Sequence, residues 1–233
     1  MTKERPILFS APMVRALLAG TKTQTRRVAK SRYLTIADIC AEATWNMQKA
    51  HPDMGVPPFR FLDEDGRAFA LLCPYGRPGG RLWVRESWAV RHDRDHLKPR
   101  DIAPGERVYY AADAALGGDN GLGGLRGRPG MFMPRWASRI TLEITGVRVE
   151  RLQEISEADA EAEGCQAAPM SMTGVYCGAD VLASSAREYR DGYSTLWESI
   201  NGAGSWEANP LVWVVEFRAM ARELESKREE IAS

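Results

Sequence analysis

Two basic segments are the parts of this sequence whose side chains are best suited to recognise an anionic ligand. No acidic residue occurs between Arg5 and Ala37. The basic residues inside that stretch are Arg15, Lys22, Arg26, Arg27, Lys30 and Arg32, and a second group consists of Arg126, Arg128, Arg135 and Arg139. Clustered lysine and arginine side chains bind phosphate groups or nucleotides. The alternative is surface charge that pairs with acidic residues elsewhere in the fold, and the net charge of 0 provides no general attraction for polyanions.

The cysteine and histidine residues do not form a metal-binding pattern. The cysteines are Cys40, Cys73, Cys165 and Cys177. They show no CxxC spacing, so we predict reduced thiols without a disulfide framework or a zinc site. His92 lies four residues before His96, in a highly charged stretch that we interpret as a solvated loop. The sequence therefore predicts no metal and no cofactor.

The length of 233 residues is sufficient for one large domain with a hydrophobic core. We predict a single domain over residues 1–233, with insertions near residues 38–80, 91–130 and 165–183. No apolar run reaches the roughly 20 residues that span a membrane. The N-terminal segment also lacks the apolar stretch of a secretory signal. We therefore predict a cytoplasmic protein that does not contact a membrane, and the sequence leaves its oligomeric state open.

A short helix is expected from Ser10 to Gly20, immediately before the densest part of the first basic segment. Ser10 suits the N-cap, Pro12 suits the first turn, and Gly20 suits the exit from the helix. Residues 21–28 then have the composition of an extended or turning segment. The helix should therefore determine where this basic segment starts.

Short strands are expected to make up most of the remaining fold. Strands are predicted at residues 81–88, 107–111, 138–152 and 211–217, and further helices at residues 156–164 and 185–201. Gly146 lies where the alternation of apolar residues changes parity, which indicates a β-bulge. Residues 211–217 are apolar on both faces, as in a central strand. Residues 116–130 are rich in glycine and are expected to form a mobile loop or lid, and the tail from Arg218 onward a charged helix. This pattern favours an α+β fold around a barrel.

The segment GTKTQTRR, from Gly20 to Arg27, resembles the G-x-K-T-x-T-x-R signature of ASCH domains. The opening ILFSAPMVRALLAG, the segment GGRLWVRESWA and two later segments are similar to the longer ASCH proteins of phages and prophages. Those later segments are MPRWASRITLEITGVRVERLQEISEADAEAEG and LWESINGAGSWEANPLVWVVEF. The resemblance runs from about residue 6 to residue 218. It implies a PUA-like β-barrel with a cleft, in a bacterial or phage-infected cell.

The resemblance also implies an activity. One small bacterial branch of this family hydrolyses the acetyl amide of N4-acetylcytidine with a lysine, a threonine and a glutamate. Lys22 and Thr25 occupy the first two positions, and Glu163 ends the segment ISEADAEAE, which is similar to the pattern L-[ST]-E-x-x-A-x-x-E. The implied function is metal-independent hydrolysis of an N4-acylated cytosine nucleoside or nucleotide. The alternatives are an RNA-binding or other nucleic-acid-binding module without catalysis and a metal-independent ribonuclease.

Lys22, Thr25 and Glu163 are the catalytic residues that this resemblance implies. An amide hydrolase without a metal needs a nucleophile and a base. The Thr25 hydroxyl is the candidate nucleophile, and Lys22 can be the base only if its pKa falls. Burial lowers a lysine pKa and a nearby carboxylate raises it, so the sequence leaves the balance open. A flat strand would point positions 22 and 25 to opposite faces, so the chain must turn or bulge just after Gly20.

Two further groups are predicted to bind the substrate. Arg26 and Arg27 lie close to the candidate base, where they can lower its pKa or hold a negative transition state or a phosphate. Aromatic side chains beside a basic cleft can stack on a base. The side chains expected to do so here, with their basic neighbours, are Trp83, Arg85, Arg135 and Trp136.

Overall fold

The structure is a computed structural model that describes residues 4–29, 59–62, 68–71, 73–113, 118, 121–167, 182–183 and 189–220. The described helices are α1 (Ala11–Ala19), α2 (Glu157–Ala162) and α3 (Tyr189–Asn201). The described strands up to the long central one are β1 (Glu4–Leu8), β2 (Gln24–Val28), β3 (Phe59–Leu62), β4 (Ala68–Leu71), β5 (Arg81–Arg85), β6 (Trp88–Ala89), β7 (Tyr109–Tyr110) and β8 (Thr141–Arg151). The later strands are β9 (Gln166–Ala167), β10 (Leu182–Ala183) and β11 (Leu211–Ala219).

Five of these strands form one mixed sheet in the order β1-β5-β8-β11-β2. β1 is parallel to β5, and the other neighbours are antiparallel. A mixed sheet with few helices is compatible with the predicted α+β class. Within the described ranges no ladder joins the edge strands β1 and β2, so the expected closed barrel is not formed there. The two edges do meet at one end, where Arg27 Nη2 donates to the carbonyl of Leu8 at 2.7 Å.

The predicted bulge in β8 is confirmed at Gly146. The register between β8 and β11 shifts between Glu216, which faces Gly146, and Phe217, which faces Ile144. A side chain at Gly146 would collide with the carboxylate of Glu216. Glycine at the bulge thus leaves room for the carboxylate of Glu216, which would have to move if position 146 carried a Cβ.

The prediction that residues 211–217 are buried on both faces is also confirmed. Trp213 and Val215 belong to the cluster that packs against Leu17 of α1. Val214 faces the other way and belongs to the cluster that contains Trp197 of α3. Since successive side chains of a strand point to opposite faces, β11 separates two apolar layers, one under α1 and one under α3.

Several predicted boundaries differ from the structure. The strand expected at 81–88 is divided into β5 and β6, because Glu86 turns inward between them and is 1% exposed. The strand expected at 107–111 is reduced to β7. Arg218 continues β11, so the tail helix does not begin there. Most of the predicted insertions at 38–80 and 165–183, part of the glycine-rich segment 116–130 and the tail after residue 220 lie outside the described residues.

The cysteine prediction is partly wrong. Cys73 is a free, buried thiol. Cys165 takes part in a disulfide whose second cysteine lies outside the described residues. Scattered spacing along the sequence does not prevent a bridge, because the fold alone decides which cysteines come within bonding distance.

Candidate functional site

The end of α1 determines the position of Lys22. Gly20 adopts the left-handed conformation with φ 79° and ends the helix. The amides of Thr21 and Lys22 still donate to the carbonyl of Ala16, at 3.0 and 3.1 Å. The regular strand therefore begins only at Gln24, and the predicted turn after Gly20 is confirmed. Lys22 and Thr25 do not lie in one flat strand.

The end of α2 determines the position of Glu163. Ser156 caps this helix, because its hydroxyl accepts from the amide of Asp159 at 3.1 Å. Glu163 follows the last turn and pairs with Lys22 in an isolated antiparallel β-bridge. Gly164 comes next with φ +87°, and a Cβ there would lie 2.9 Å from Cβ of Ala16. Glycine thus allows the backbone after α2 to approach the end of α1 closely.

Lys22 and Glu163 form a buried ion pair. Lys22 Nζ lies 2.8 Å from Glu163 Oε2 and donates to the backbone carbonyl of Glu163 at 2.7 Å. The side chain of Lys22 is 0% exposed, and that of Glu163 is 3% exposed. Arg26 Nη1 donates to the other carboxylate oxygen at 3.3 Å. The carboxylate of Glu163 is therefore shared by two buried cations.

Arg26 extends this pair into a larger network of charges. Its guanidinium also pairs with Glu150 and with Oδ2 of Asp159, the latter at 3.1 Å. Asp159 in turn accepts from Gln24 Nε2 at 3.0 Å and from Arg148 Nη2 at 3.1 Å. Burial raises the pKa of Asp159, but the hydrogen bond from Gln24 and the two guanidinium groups outweigh it and lower that pKa.

Burial decides the pKa of Lys22. Removal of the ammonium from water is the largest effect and lowers the pKa below the ordinary lysine value, although the carboxylate of Glu163 opposes it. The charges of Arg27 and Arg26 lower it further. The ring of Phe9 lies below Lys22 Nζ, with its centre 5.6 Å away, and this cation–π contact favours the charged ammonium and opposes the fall. The structure therefore favours a lysine that loses its proton more easily than usual.

A cleft of about 40 Å³ opens between β2 and α3, beside this network. One wall consists of Thr25, Arg26, Arg27, Val28 and Glu163. The other wall includes Tyr193, Leu196, Trp197 and Ile200 of α3. The structure thus brings Thr25 and Glu163 to the same cleft, and Lys22 is connected to it through Glu163. The volume suits a few water molecules or one small chemical group.

The cleft wall on α3 was not predicted, because we interpreted its aromatic stripe as core. Tyr193 is indeed buried, but its ring lies 5.9 Å from the guanidinium of Arg26. Burial and the negative charge of Glu163 raise the pKa of the Tyr193 phenol well above its usual value, so the phenol stays protonated. Trp197 lies one helical turn further and is 4% exposed. A buried aromatic stripe has this spacing whether it lines a core or a cleft, so no sequence signal distinguished this wall.

The predicted stacking residues form a separate group, and none of them lines the cleft. The ring of Trp83 is 7% exposed, and the guanidinium groups of Arg85 and Arg135 lie 4.5 and 5.9 Å from its centre. Trp136 packs edge-on against Trp88, with ring centres 6.5 Å apart. In the order of the sheet, β5 is separated from β2 by β8 and β11. Stacking by this group stays a prediction.

Acidic partners take up much of the charge in the two basic segments. Arg128 Nη1 lies 3.3 Å from Asp95, and Arg135 Nε lies 2.7 Å from Glu4. Arg139 pairs with Glu86 and is 8% exposed. These arginines therefore fit the second alternative, charge that is paired with acidic residues elsewhere in the fold, better than a free phosphate-binding patch. Several of the pairs are buried, however, and do not lie on the solvated surface.

Comparison with known proteins identifies no relative of this chain. Neither family models, nor curated sequences, nor solved structures give a match to this chain. Among the described residues, no group of three or more His, Cys, Asp or Glu side chains is arranged to hold a metal ion. No helix in the described ranges has the length and apolar character needed to cross a membrane.

Proposed function

We propose that this protein is a PUA-like ASCH protein that removes an acyl group from the exocyclic amine of a modified cytosine nucleoside or nucleotide, without a metal. One observation carries the proposal: a fully buried lysine with a lowered pKa is held 2.8 Å from Glu163, and Glu163 shares its cleft with Thr25. The ASCH resemblance motivates the same three residues, Lys22 and Thr25 through the signature and Glu163 through the segment ISEADAEAE. The meeting of the two sheet edges at Leu8 and Arg27 supports a fold derived from a barrel.

In the proposed reaction, Lys22 starts as the neutral amine. A neutral amine has two N–H donors and one lone pair, so Lys22 can keep both contacts with Glu163 and still accept a proton. It takes the proton of the Thr25 hydroxyl while Thr25 Oγ1 bonds to the acyl carbon. The C–N bond then breaks, and the cytosine amine leaves with the proton from the Lys22 ammonium.

Water completes the proposed cycle. A water molecule gives a proton to Lys22 and attacks the ester on Thr25. The ester C–O bond breaks, the proton on Lys22 passes to Thr25 Oγ1, and the released acid gives its own proton to solvent water and becomes a carboxylate. Glu163 is a positioning residue here, because it holds the Lys22 amine by two hydrogen bonds and exchanges no proton itself.

The test is hydrolysis of N4-acetylcytidine without added metal, with released cytidine quantified by chromatography. Lys22→Met and Thr25→Val preserve most of the side-chain volume and remove the base and the nucleophile. The matched controls are Lys98→Met and Thr195→Val, which make the same exchanges at exposed positions. We expect turnover by the wild type and both controls, and loss of turnover in both site variants. Equal turnover by Lys22→Met and Lys98→Met would sink the proposal.

RNA binding without catalysis and metal-independent ribonuclease action are the competing proposals. The basic segments motivate both, but Arg26, Arg128, Arg135 and Arg139 are paired with carboxylates. Binding through phosphate contacts weakens steeply as salt rises. Salt-dependent binding of single-stranded RNA, together with no hydrolysis of N4-acetylcytidine, would favour the binding module. Cleavage of that RNA without added metal would favour the ribonuclease.

A further inference from the structure

Trp197 carries a hydrogen-bond donor that the described fold leaves unused. Its indole Nε1 is buried and has no hydrogen-bond partner. The residue is 4% exposed and lines the cleft beside Thr25 and Glu163. Buried N–H groups are nearly always paired in native proteins, so each exception calls for an explanation. A ligand oxygen in the cleft would supply the missing acceptor.

The opposite wall carries donors that point away from the sheet. The amide of Phe217 donates to the carbonyl of Thr23, and the amide of Ala29 donates to the carbonyl of Leu211, both at 2.8 Å. In an antiparallel ladder this pairing recurs at every second residue, so the odd-numbered residues of β2 bond to β11. The amides of Arg26 and Val28 therefore point toward the free edge of β2, and both residues line the cleft.

One part of the lining is suited to a short apolar group. Met13, Leu196 and Ile200 contribute apolar surface, and Ile200 is 52% exposed. The volume of about 40 Å³ is far below the roughly 300–1,000 Å³ that hold a drug-sized ligand. A cytosine with its sugar does not fit, whereas an acetyl-sized group does. The lining also includes polar side chains, among them Glu163 and Asn201. N–H donors on two walls beside an apolar patch describe the recognition of a carbonyl or carboxylate oxygen on a short carbon chain.

We infer that this cleft is the acyl subsite, in which the Trp197 N–H donates to the acyl carbonyl oxygen and Leu196 and Ile200 restrict the acyl group to about the size of acetyl. The inference rests on the proposed function, because the acyl carbon must lie next to Thr25. The nucleoside stays outside the cleft. Trp197 then stabilises the oxygen as it becomes negative during attack, together with the edge amides of β2.

The first arm of the test measures catalysis. Trp197→Phe keeps an aromatic ring and removes the donor, and Trp206→Phe is the matched control outside the cleft. Loss of one such donor lowers kcat by about 100-fold or more, so we expect that loss in Trp197→Phe only. We also expect wild-type kcat/KM to fall about 10-fold or more from N4-acetylcytidine to N4-butyrylcytidine, since a longer chain overpacks the cleft. Ile200→Ala should recover the longer substrate.

The second arm needs no turnover and separates this inference from the proposed function. Acetate, the product carboxylate, is titrated onto the wild type, Trp197→Phe and Trp206→Phe, with binding followed by saturation transfer to the acetate methyl group in NMR. Binding that only Trp197→Phe weakens supports the subsite, even if the wild type hydrolyses nothing. The subsite is overturned if Trp197→Phe and Trp206→Phe bind acetate equally well and, where turnover occurs, have the same kcat. In that case, hydrolysis that is lost in Lys22→Met would still support the proposed function.

Discussion

Two buried ionic clusters in the described part of the chain differ in what their charges can do. Around Arg139, Nε and Nη2 meet the two oxygens of Glu86 at 2.9 and 3.0 Å, and Nη1 meets Asp113 at 2.6 Å. The ring of Tyr110 lies 3.9 Å from the same guanidinium. Burial works against the charge of Arg139, yet Glu86 and Asp113 outweigh it and raise its pKa. This cation is held permanently charged.

The cluster around Lys22 is built from similar groups but has a different result. Its cation is a lysine, whose pKa responds to burial far more than that of arginine, and burial lowers it. Glu163 also lines a cleft, whereas Arg139 and Glu86 do not contribute to that cleft. A buried charged group by itself therefore indicates a structural role. A group that can release its proton beside an accessible cleft indicates chemistry.

The largest expected effect separates the two clusters by activity. General base catalysis contributes about 10²–10⁴-fold, so Lys22→Met should lower kcat on N4-acetylcytidine by about 1,000-fold. Far-UV circular dichroism should show an unchanged fold, since Glu163 keeps Arg26 as a partner. Equal kcat in Lys22→Met and the wild type would show that the Lys22 cluster, like the Arg139 cluster, has no part in catalysis.

The next effect concerns the stability of the Arg139 cluster. Glu86→Gln removes the carboxylate of a buried pair, and breaking such a pair costs about 3–5 kcal/mol. Because Asp113 still contacts Arg139, we expect about 3 kcal/mol less unfolding free energy in urea. The kcat of the folded fraction should not change. A large fall in kcat with unchanged stability would show that this cluster, too, belongs to the site.

A smaller effect tests how closely α2 must approach Lys22. Gly164 and Gly204 both have positive φ, at +87° and +78°, but only Gly164 has neighbours within 4 Å of an added Cβ. A left-handed non-glycine residue costs about 1–2 kcal/mol, so Gly204→Ala should lose about 1 kcal/mol of unfolding free energy. Gly164→Ala should lose more and also lower kcat, because it shifts Glu163. Identical behaviour of the two variants would contradict a close approach that matters for the site.

The smallest effect is the pH dependence that Asp159 gives to stability. Its pKa is lowered in the fold, so it stabilises the protein above its ordinary pKa of about 3.9, and that stabilisation is lost as the pH falls through the folded-state value. Its side chain is 28% exposed, and screening limits the contribution to about 1 kcal/mol. Thermal unfolding of wild type and Asp159→Asn should differ at pH 7 and converge as the pH falls through the lowered folded-state pKa of Asp159. A difference that is constant with pH would show that the charge of Asp159 is not involved.

The sequence predicted those parts of the fold that depend on local geometry. Gly20 ends α1 because glycine adopts the left-handed backbone conformation of that turn without steric cost. Gly146 forms the bulge where the apolar alternation changes parity. The burial of residues 211–217 followed from their composition. In each case the residue types of a short stretch of sequence determine the local conformation or burial.

The sequence could not predict contacts that depend on how distant elements meet. Arg26 meets Glu150 across 124 positions and Glu163 across 137. The register of β2, β11 and β8 decides the first partner, and the approach of α2 to the end of α1 decides the second. The pKa of Lys22 depends on burial, which no local pattern gives. The α3 wall was missed because a buried aromatic stripe has the same pattern whether it lines a core or a cleft.

The most direct test of the central claim is an NMR titration of the Lys22 side chain, with Lys22→Met used to assign its signal. Burial should give this lysine a midpoint below the ordinary value of about 10.4. The same midpoint should govern the rise of kcat/KM with pH on N4-acetylcytidine, since only the neutral amine accepts a proton. A midpoint at or above the ordinary lysine value would contradict the account, because Lys22 would then be a fixed charge like Arg139.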